Sequence, residues 1–209
     1  MIRKTNLAAR GNYGSSRSSG TIKYIVLHYT ANDGDTDEGN GKYFHNNVVK
    51  ASAHYFVDSD SVTQSVPDNF VAWSVGGSKY ASCSTTGGGK HYGKCTNTNS
   101  LNIEMCDDKK NGTLMASDKT IANAQALTKE LMQKYNVPIE NVIRHFDVTG
   151  KLCPAYYVDE KKWAEFKAGL VEKKTVYRVQ VGAFSVQANA EKLVKELKSK
   201  GYQAYITKV

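Results

Sequence analysis

Short apolar runs alternate with polar stretches along this chain, and the period of each run predicts its element. Residues 22–27 (Ile-Lys-Tyr-Ile-Val-Leu) are too short and too β-branched for a helix and predict a buried strand. Residues 33–41, acidic and glycine-rich, predict a loop, followed by a short helix carrying Tyr43, Phe44 and Val48. Residues 53–57 and 62–66 predict a hairpin turned by Asp58-Ser-Asp60. Residues 74–100 are rich in Gly, Ser, Thr, Lys and Asn, which predicts a long surface loop. A third strand is expected over 101–106. Ser117 is placed to cap a helix running to about Tyr135, with Ile121, Ala124, Leu127, Leu131 and Tyr135 on one face. Residues 142–144 predict a short strand, and 159–170 a last helix burying Trp163, Phe166 and Leu170.

The pattern changes at 171–175, a charged stretch expected to be a linker. Beyond it 177–184 alternates as a strand, and Ser185 is expected to cap a helix with Val186, Ala190, Leu193, Val194 and Leu197 on one face. Gly201 ends that helix, and 202–207 predicts another strand. This βαβ piece, about 35 residues long, is too small for a core of its own. The expected organisation is α/β: a larger domain over 1–170, a linker over 171–175 and a small module over 176–209.

Charge sharpens this division. The 209 residues carry a formal net charge of +8, and from residue 171 onward eight Lys/Arg face three Asp/Glu. Most of the excess is therefore in the tail, which favours a polyanionic partner such as nucleic acid, an anionic membrane face or a wall polymer. A role in solubility alone explains the charge equally well. No interleaved basic and aromatic surface or recognition helix is legible, which sets nucleic acid aside. No apolar run of membrane-spanning length occurs. The first ten residues are basic but lack the apolar stretch of a signal peptide, so the chain is expected to stay cytoplasmic until something releases it. Of the four cysteines, Cys106 follows a strand and reads as a buried thiol. Cys83 and Cys95 flank a glycine-rich loop and are open to pairing or to none.

Candidate chemistry gathers at strand ends. His28 closes the first strand, His145 follows the 142–144 strand, and Cys153 comes eight residues later. A single histidine is most often a hydrogen-bonded structural residue. Two beside strands, with a cysteine that a loop can fold back, supply the three nitrogen or sulfur ligands of a catalytic zinc with one position open to water. Glu104 is an acid inside an apolar strand. It either points to solvent or acts as a general base in a cleft, its pKa raised by burial. Lys151 is either a solvated loop lysine or a group that stabilises an oxyanion.

The segments Ile25-Val-Leu-His-Tyr-Thr-Ala31, Ser52-Ala-His-Tyr-Phe-Val57, Asn99-Ser-Leu-Asn-Ile-Glu-Met105 and Arg144-His-Phe-Asp-Val-Thr-Gly-Lys-Leu-Cys-Pro154 resemble the type 2 zinc N-acetylmuramoyl-L-alanine amidases. That group includes phage endolysins, bacterial autolysins and peptidoglycan recognition proteins. The resemblance covers about residues 1–170. It implies a mixed, mostly six-stranded sheet flanked by helices, with Zn2+ held by His28, His145 and Cys153. It further implies Glu104 as the catalytic acid–base and Lys151 as the group that polarises the scissile carbonyl. Many relatives carry a histidine where Ser74 stands, and one branch a catalytic tyrosine where Ala53 stands. These departures put the weight on Glu104. His54 and Trp73 are expected to line the substrate groove, and His45 and His91 match no catalytic place. The run Tyr177-Arg-Val-Gln-Val-Gly-Ala-Phe184 with the helix after it resembles the first half of a SPOR domain, a peptidoglycan-binding module. Together these imply a hydrolase of the bond between N-acetylmuramic acid and L-alanine, acting as a phage or prophage endolysin with peptidoglycan as its partner. A non-catalytic peptidoglycan binder is the alternative. Unpaired strand edges in a half module imply a homodimer through the tail.

Overall fold

A computed structural model describes residues 2–171 and 179–208. The chain divides into two compact units, Met1–Glu172 and Lys173–Val209. The strands are β1 (Ile2–Thr5), β2 (Tyr13–Ser16), β3 (Tyr24–Tyr29), β4 (Tyr55–Val57), β5 (Ser61–Gln64), β6 (Phe70–Ala72), β7 (Ser100–Met105) and β8 (Val142–Arg144). The helices are α1 (Asp37–Asn46), α2 (Cys83–Thr86), α3 (Asp118–Tyr135), α4 (His145–Thr149), α5 (Glu160–Ala168) and α6 (Gln187–Ser199).

Six strands form one mixed sheet in the order β1-β5-β4-β7-β3-β8, as expected for its size and class. Only β4 and β5 pair antiparallel; the other neighbours run parallel. Strands β2 and β6 form a separate antiparallel pair.

Side chains alternate across a strand, so each strand of the sheet has two faces. Ile25, Leu27, Leu101, Ile103 and Met105 turn to one face, where they pack with Leu127 and Leu131 of α3 and Trp163 and Phe166 of α5. The opposite face carries His28, Asn102 and Glu104. Helix α3 starts as expected: the Ser117 hydroxyl accepts the Thr120 N–H at 3.1 Å. Asn136 then closes it in the left-handed region.

Several expectations need correction. The first helix begins at Asp37, inside the stretch expected to be a loop, and ends before Val48. Thr36 caps it by accepting from Gly39 N–H at 3.1 Å, and Asp37 and Glu38 sit where the helix dipole favours acids. Cys83 and Cys95 do not pair; both are free and buried, as are Cys106 and Cys153. Residues 172–175 of the expected linker, together with 176–178, lie outside the described residues. In the second unit α6 forms; among the described residues, 179–184 and 202–208 pair into no ladder, and residues 177–178 of the expected strand lie outside the described residues. Val179 and Val181 are 85% and 63% exposed, and Tyr202 and Tyr205 are 65% and 67% exposed. Among the described residues no helix is long and apolar enough to cross a membrane.

Candidate metal centre

The parallel register of β3 and β7 sets His28 opposite Glu104 on the polar face of the sheet. Strand β8 runs on the other side of β3, and its end delivers His145 at the start of α4. A buried ion pair fixes that junction. Arg144 grips Asp147 with Nε at 2.9 Å and NH2 at 2.7 Å, and its NH1 donates to Tyr157 O at 2.6 Å. The Asp147 carboxylate also accepts Arg144 N–H at 2.8 Å, closing the first turn of α4 on itself. Helix α4 ends at Gly150, whose φ of 86° is the left-handed conformation glycine adopts without strain. The chain then doubles back, and Phe146 N–H donates to Cys153 O at 2.9 Å. This return brings Cys153 beside the two histidines.

One donor atom from each of His28, His145 and Cys153 lies within 4.8 Å of the others, and all three residues are buried. The imidazole centroids of His28 and His145 are 4.8 Å apart. Cys153 Sγ stands 3.8 Å from His28 Nδ1. Two donors on one tetrahedral zinc, at about 2.0 and 2.3 Å, stand roughly 3.5 Å apart. The buried Nδ1 of His145 has no hydrogen-bond partner. Both imidazoles titrate below their usual range. Burial and then the nearby His145 depress His28 strongly, while burial and then Lys151 bring His145 down to about 4. They are therefore neutral, the form that ligates. Burial, with Glu104 nearby, pushes the Cys153 thiol up to about 12. A cation among these donors is what would draw off that proton. The donor set fits zinc.

Glu104 stands at the edge of this set, its Oε1 3.9 Å from His28 Nδ1. Its Oε2 is buried without a partner although the side chain as a whole is 21% exposed. Burial raises its pKa to about 8, opposed by the charge of Lys151 and assisted by Asp35. Beside the centre opens a groove of about 530 Å³, walled by Ser74 and residues 76–80 on one side and by His145, Thr149 and Lys151 on the other. Tyr80 N–H docks that wall onto α4 by donating to Thr149 O at 2.8 Å.

The structure thus brings His28, Glu104, His145, Lys151 and Cys153 together. It does not place His54 or Trp73 in this groove. His54 is fully buried: its Nδ1 accepts Asn102 N–H at 3.0 Å and its Nε2 lies 3.1 Å from Phe70 O. Burial and then the Arg17 charge lower its pKa to about 3, so it is a neutral strut beneath the site. Trp73 turns toward β2, close enough that a Cβ on Gly14 would come within 3.1 Å of its Nε1. Ser74 lines the groove. His45 Nδ1 donates to Leu7 O at 2.7 Å, and His91 packs edge-on against Tyr24, both outside the ligand set. Sequence reasoning missed Asn102, whose Oδ1 lies 3.1 Å from His28 Nε2. Its signal was present, since Asn102 and Glu104 alternate with Leu101, Ile103 and Met105 and so share the polar face.

A mixed α/β sheet presenting two imidazoles, a thiol and a buried carboxyl beside an open groove has the make-up of a metallohydrolase centre. Residues 18–156 match the family described as N-acetylmuramoyl-L-alanine amidase, and residues 173–209 match the SPOR domain. The N-acetylmuramoyl-L-alanine amidase BlyA of Bacillus subtilis (strain 168) is 35% identical over 153 residues, which are 70% of this chain and 40% of BlyA. CwlL of Bacillus licheniformis, an amidase of the same name, is 32% identical over 144 residues, 66% of this chain and 38% of CwlL. The catalytic domain of XlyA superposes with a TM-score of 0.63 at 28% identity, covering 82% of this chain and 100% of that domain. PlyL superposes with a TM-score of 0.65 at 27% identity, covering 84% of this chain and 100% of PlyL. The chain belongs to the N-acetylmuramoyl-L-alanine amidase family. It spans about two-fifths of the length of these curated relatives.

Proposed function

We propose that this chain is a zinc-dependent peptidoglycan amidase that hydrolyses the bond between the lactyl carbonyl of N-acetylmuramic acid and the amino group of L-alanine. The observation that carries the reading is the buried convergence of His28, His145 and Cys153 donors within 4.8 Å, in a chain of the amidase family. These three residues would hold the zinc. Bound there, zinc supplies Lewis-acid polarisation and a lowered pKa for the attacking water. Glu104 takes the proton of that water as it adds to the carbonyl, then passes it to the nitrogen of the departing alanine. Lys151, on the lip of the groove, donates to the oxygen that gains negative charge at the carbonyl. One water is consumed, one amide is broken, and a carboxylate and an ammonium group result.

The match of residues 173–209 to the SPOR domain and the tail's basic charge support attachment to peptidoglycan glycan strands. Likeness to the structure of a mutant endolysin from Bacillus subtilis, with a TM-score of 0.63 at 29% identity, supports an endolysin role. The exposed apolar flanks of α6 support pairing of two tails in a homodimer. Metal analysis tests the core of the reading. Purified protein is expected to carry one zinc per chain, and Cys153→Ser to lose the zinc and nearly all wall-clearing activity while remaining folded. Active wild-type protein devoid of zinc would overturn it.

A further inference from the structure

Strand β7 places a second polar side chain two residues before Glu104 on the same face. Asn102 is fully buried, as is Ser100. The Ser100 hydroxyl donates to Thr96 O at 2.8 Å. With its one hydrogen spent there, Ser100 Oγ can only accept, and it receives the Asn102 amide N–H at 3.2 Å. The amide is thereby oriented with Oδ1 toward His28 Nε2, 3.1 Å away. An amide oxygen accepts and never donates. His28 Nε2 must therefore carry the proton, and Nδ1 holds the lone pair. Nδ1 is also the nitrogen that faces the centre, 3.8 Å from Cys153 Sγ and 3.9 Å from Glu104 Oε1.

We propose that Asn102, oriented by Ser100, is the positioning residue that locks His28 in its Nε2–H tautomer and so makes Nδ1 the ligand atom. The proposal rests on the reading of His28 as a metal ligand. A histidine's tautomer is set by the hydrogen bond its other nitrogen makes. A nitrogen that bears a proton has no lone pair to give. Without an acceptor at Nε2, His28 divides between two forms, and only one of them binds. Asn102 is suited to this task because its backbone is held separately. Its N–H donates to His54 Nδ1 at 3.0 Å and its carbonyl accepts from His54 N–H at 3.0 Å. The side-chain oxygen is left to serve His28.

The test reads the tautomer directly. Protein labelled with nitrogen-15 histidine is stripped of metal and its imidazole shifts are recorded at alkaline pH, with His28 assigned through His28→Gln. Wild type should show Nε2–H alone. Asn102→Leu, which has similar volume and no acceptor, should show a mixture or the opposite tautomer. Asn102→Asp, which keeps the acceptor, should restore Nε2–H. Zinc affinity by chelator competition should fall about 10- to 100-fold in Asn102→Leu, the scale of a lost outer-shell partner, and recover in Asn102→Asp. If Asn102→Leu does not fold by circular dichroism, Asn102→Ala, which also lacks the acceptor, carries the same readings. A folded variant without the acceptor that keeps both Nε2–H and wild-type zinc affinity overturns the proposal. Wild-type protein that takes up no zinc overturns the metal reading instead, and the metal-free tautomer still decides what Asn102 does.

Discussion

Glu104 is a carboxyl kept where its charged form is costly. Burial outweighs the favourable charge of Lys151, and its pKa rises from 4.5 to about 8 in the metal-free site. The sign of the consequence follows from linkage. A pKa raised on folding lends stability through the neutral form, in full below pH 4.5, and this is lost as pH climbs through 8. The histidines act in the opposite direction. His145 and His54 are lowered from 6.5 to about 4 and about 3, so their contribution is complete once the pH exceeds 6.5. Between pH 6.5 and 8 the slope belongs to Glu104. Metal-free wild-type protein should lose stability with rising pH across that window, and Glu104→Gln should not, by urea unfolding at a series of pH values. The same variant should retain zinc and lose turnover by roughly 100-fold or more, the scale of a general base. Near-normal turnover would assign the proton transfer to another group.

At the scale of elements, the turn after α4 matters most, because it carries both Lys151 and Cys153. Gly150 holds φ at 86°, and a Cβ there would overlap Cys83 Sγ. Gly150→Ala should cost roughly 1–3 kcal/mol from the left-handed backbone alone, read as a lower thermal midpoint, and should weaken zinc binding. An unchanged midpoint would show that the turn is not strained by a side chain. This turn was hidden from sequence reasoning because α4 has only five residues and no room for a period. Strands β3 and β8 were legible as the short apolar runs that parallel strands covered on both faces give, and β7 by its alternation of apolar and polar residues. Strand β1 was not: Ile2-Arg-Lys-Thr5 lies at the sheet edge beside β5, and none of its residues is buried. The start of α1 was mistaken for a loop because Asp37 and Glu38 look like solvated acids. Asp37 is in fact buried, accepting from Ser61 Oγ at 3.0 Å and Thr63 Oγ1 at 2.8 Å. The residues proposed to hold zinc, and Glu104, were legible through local motif. Asn102, His54 and Trp73 were not, because what each touches depends on the register of β7, β4 and β6 with their neighbours.

At the scale of the whole chain, the proposed function assigns chemistry and attachment to different units. The six-stranded sheet and every residue assigned to the reaction lie within Met1–Glu172, while the basic SPOR-like segment is the other unit. Deleting residues 173–209 should leave activity on small soluble muropeptides unchanged and weaken sedimentation with intact walls, most at low salt, where charge is least screened. Light scattering on the same pair should show a dimer for the full chain and a monomer for the deletion. Wall binding that survives the deletion would remove the targeting role, and a full-length monomer would remove the pairing of tails.

The amidase reading itself is tested most directly by the bond that is cut. Purified peptidoglycan is digested with the full chain, and the soluble products are sequenced by mass spectrometry, with Cys153→Ser as the control. The account predicts glycan strands bearing free lactyl carboxyls and stem peptides with new L-alanine amino ends, both absent from the control digest. New reducing sugar ends, or peptides cut elsewhere while muramic acid and alanine stay joined, would contradict it.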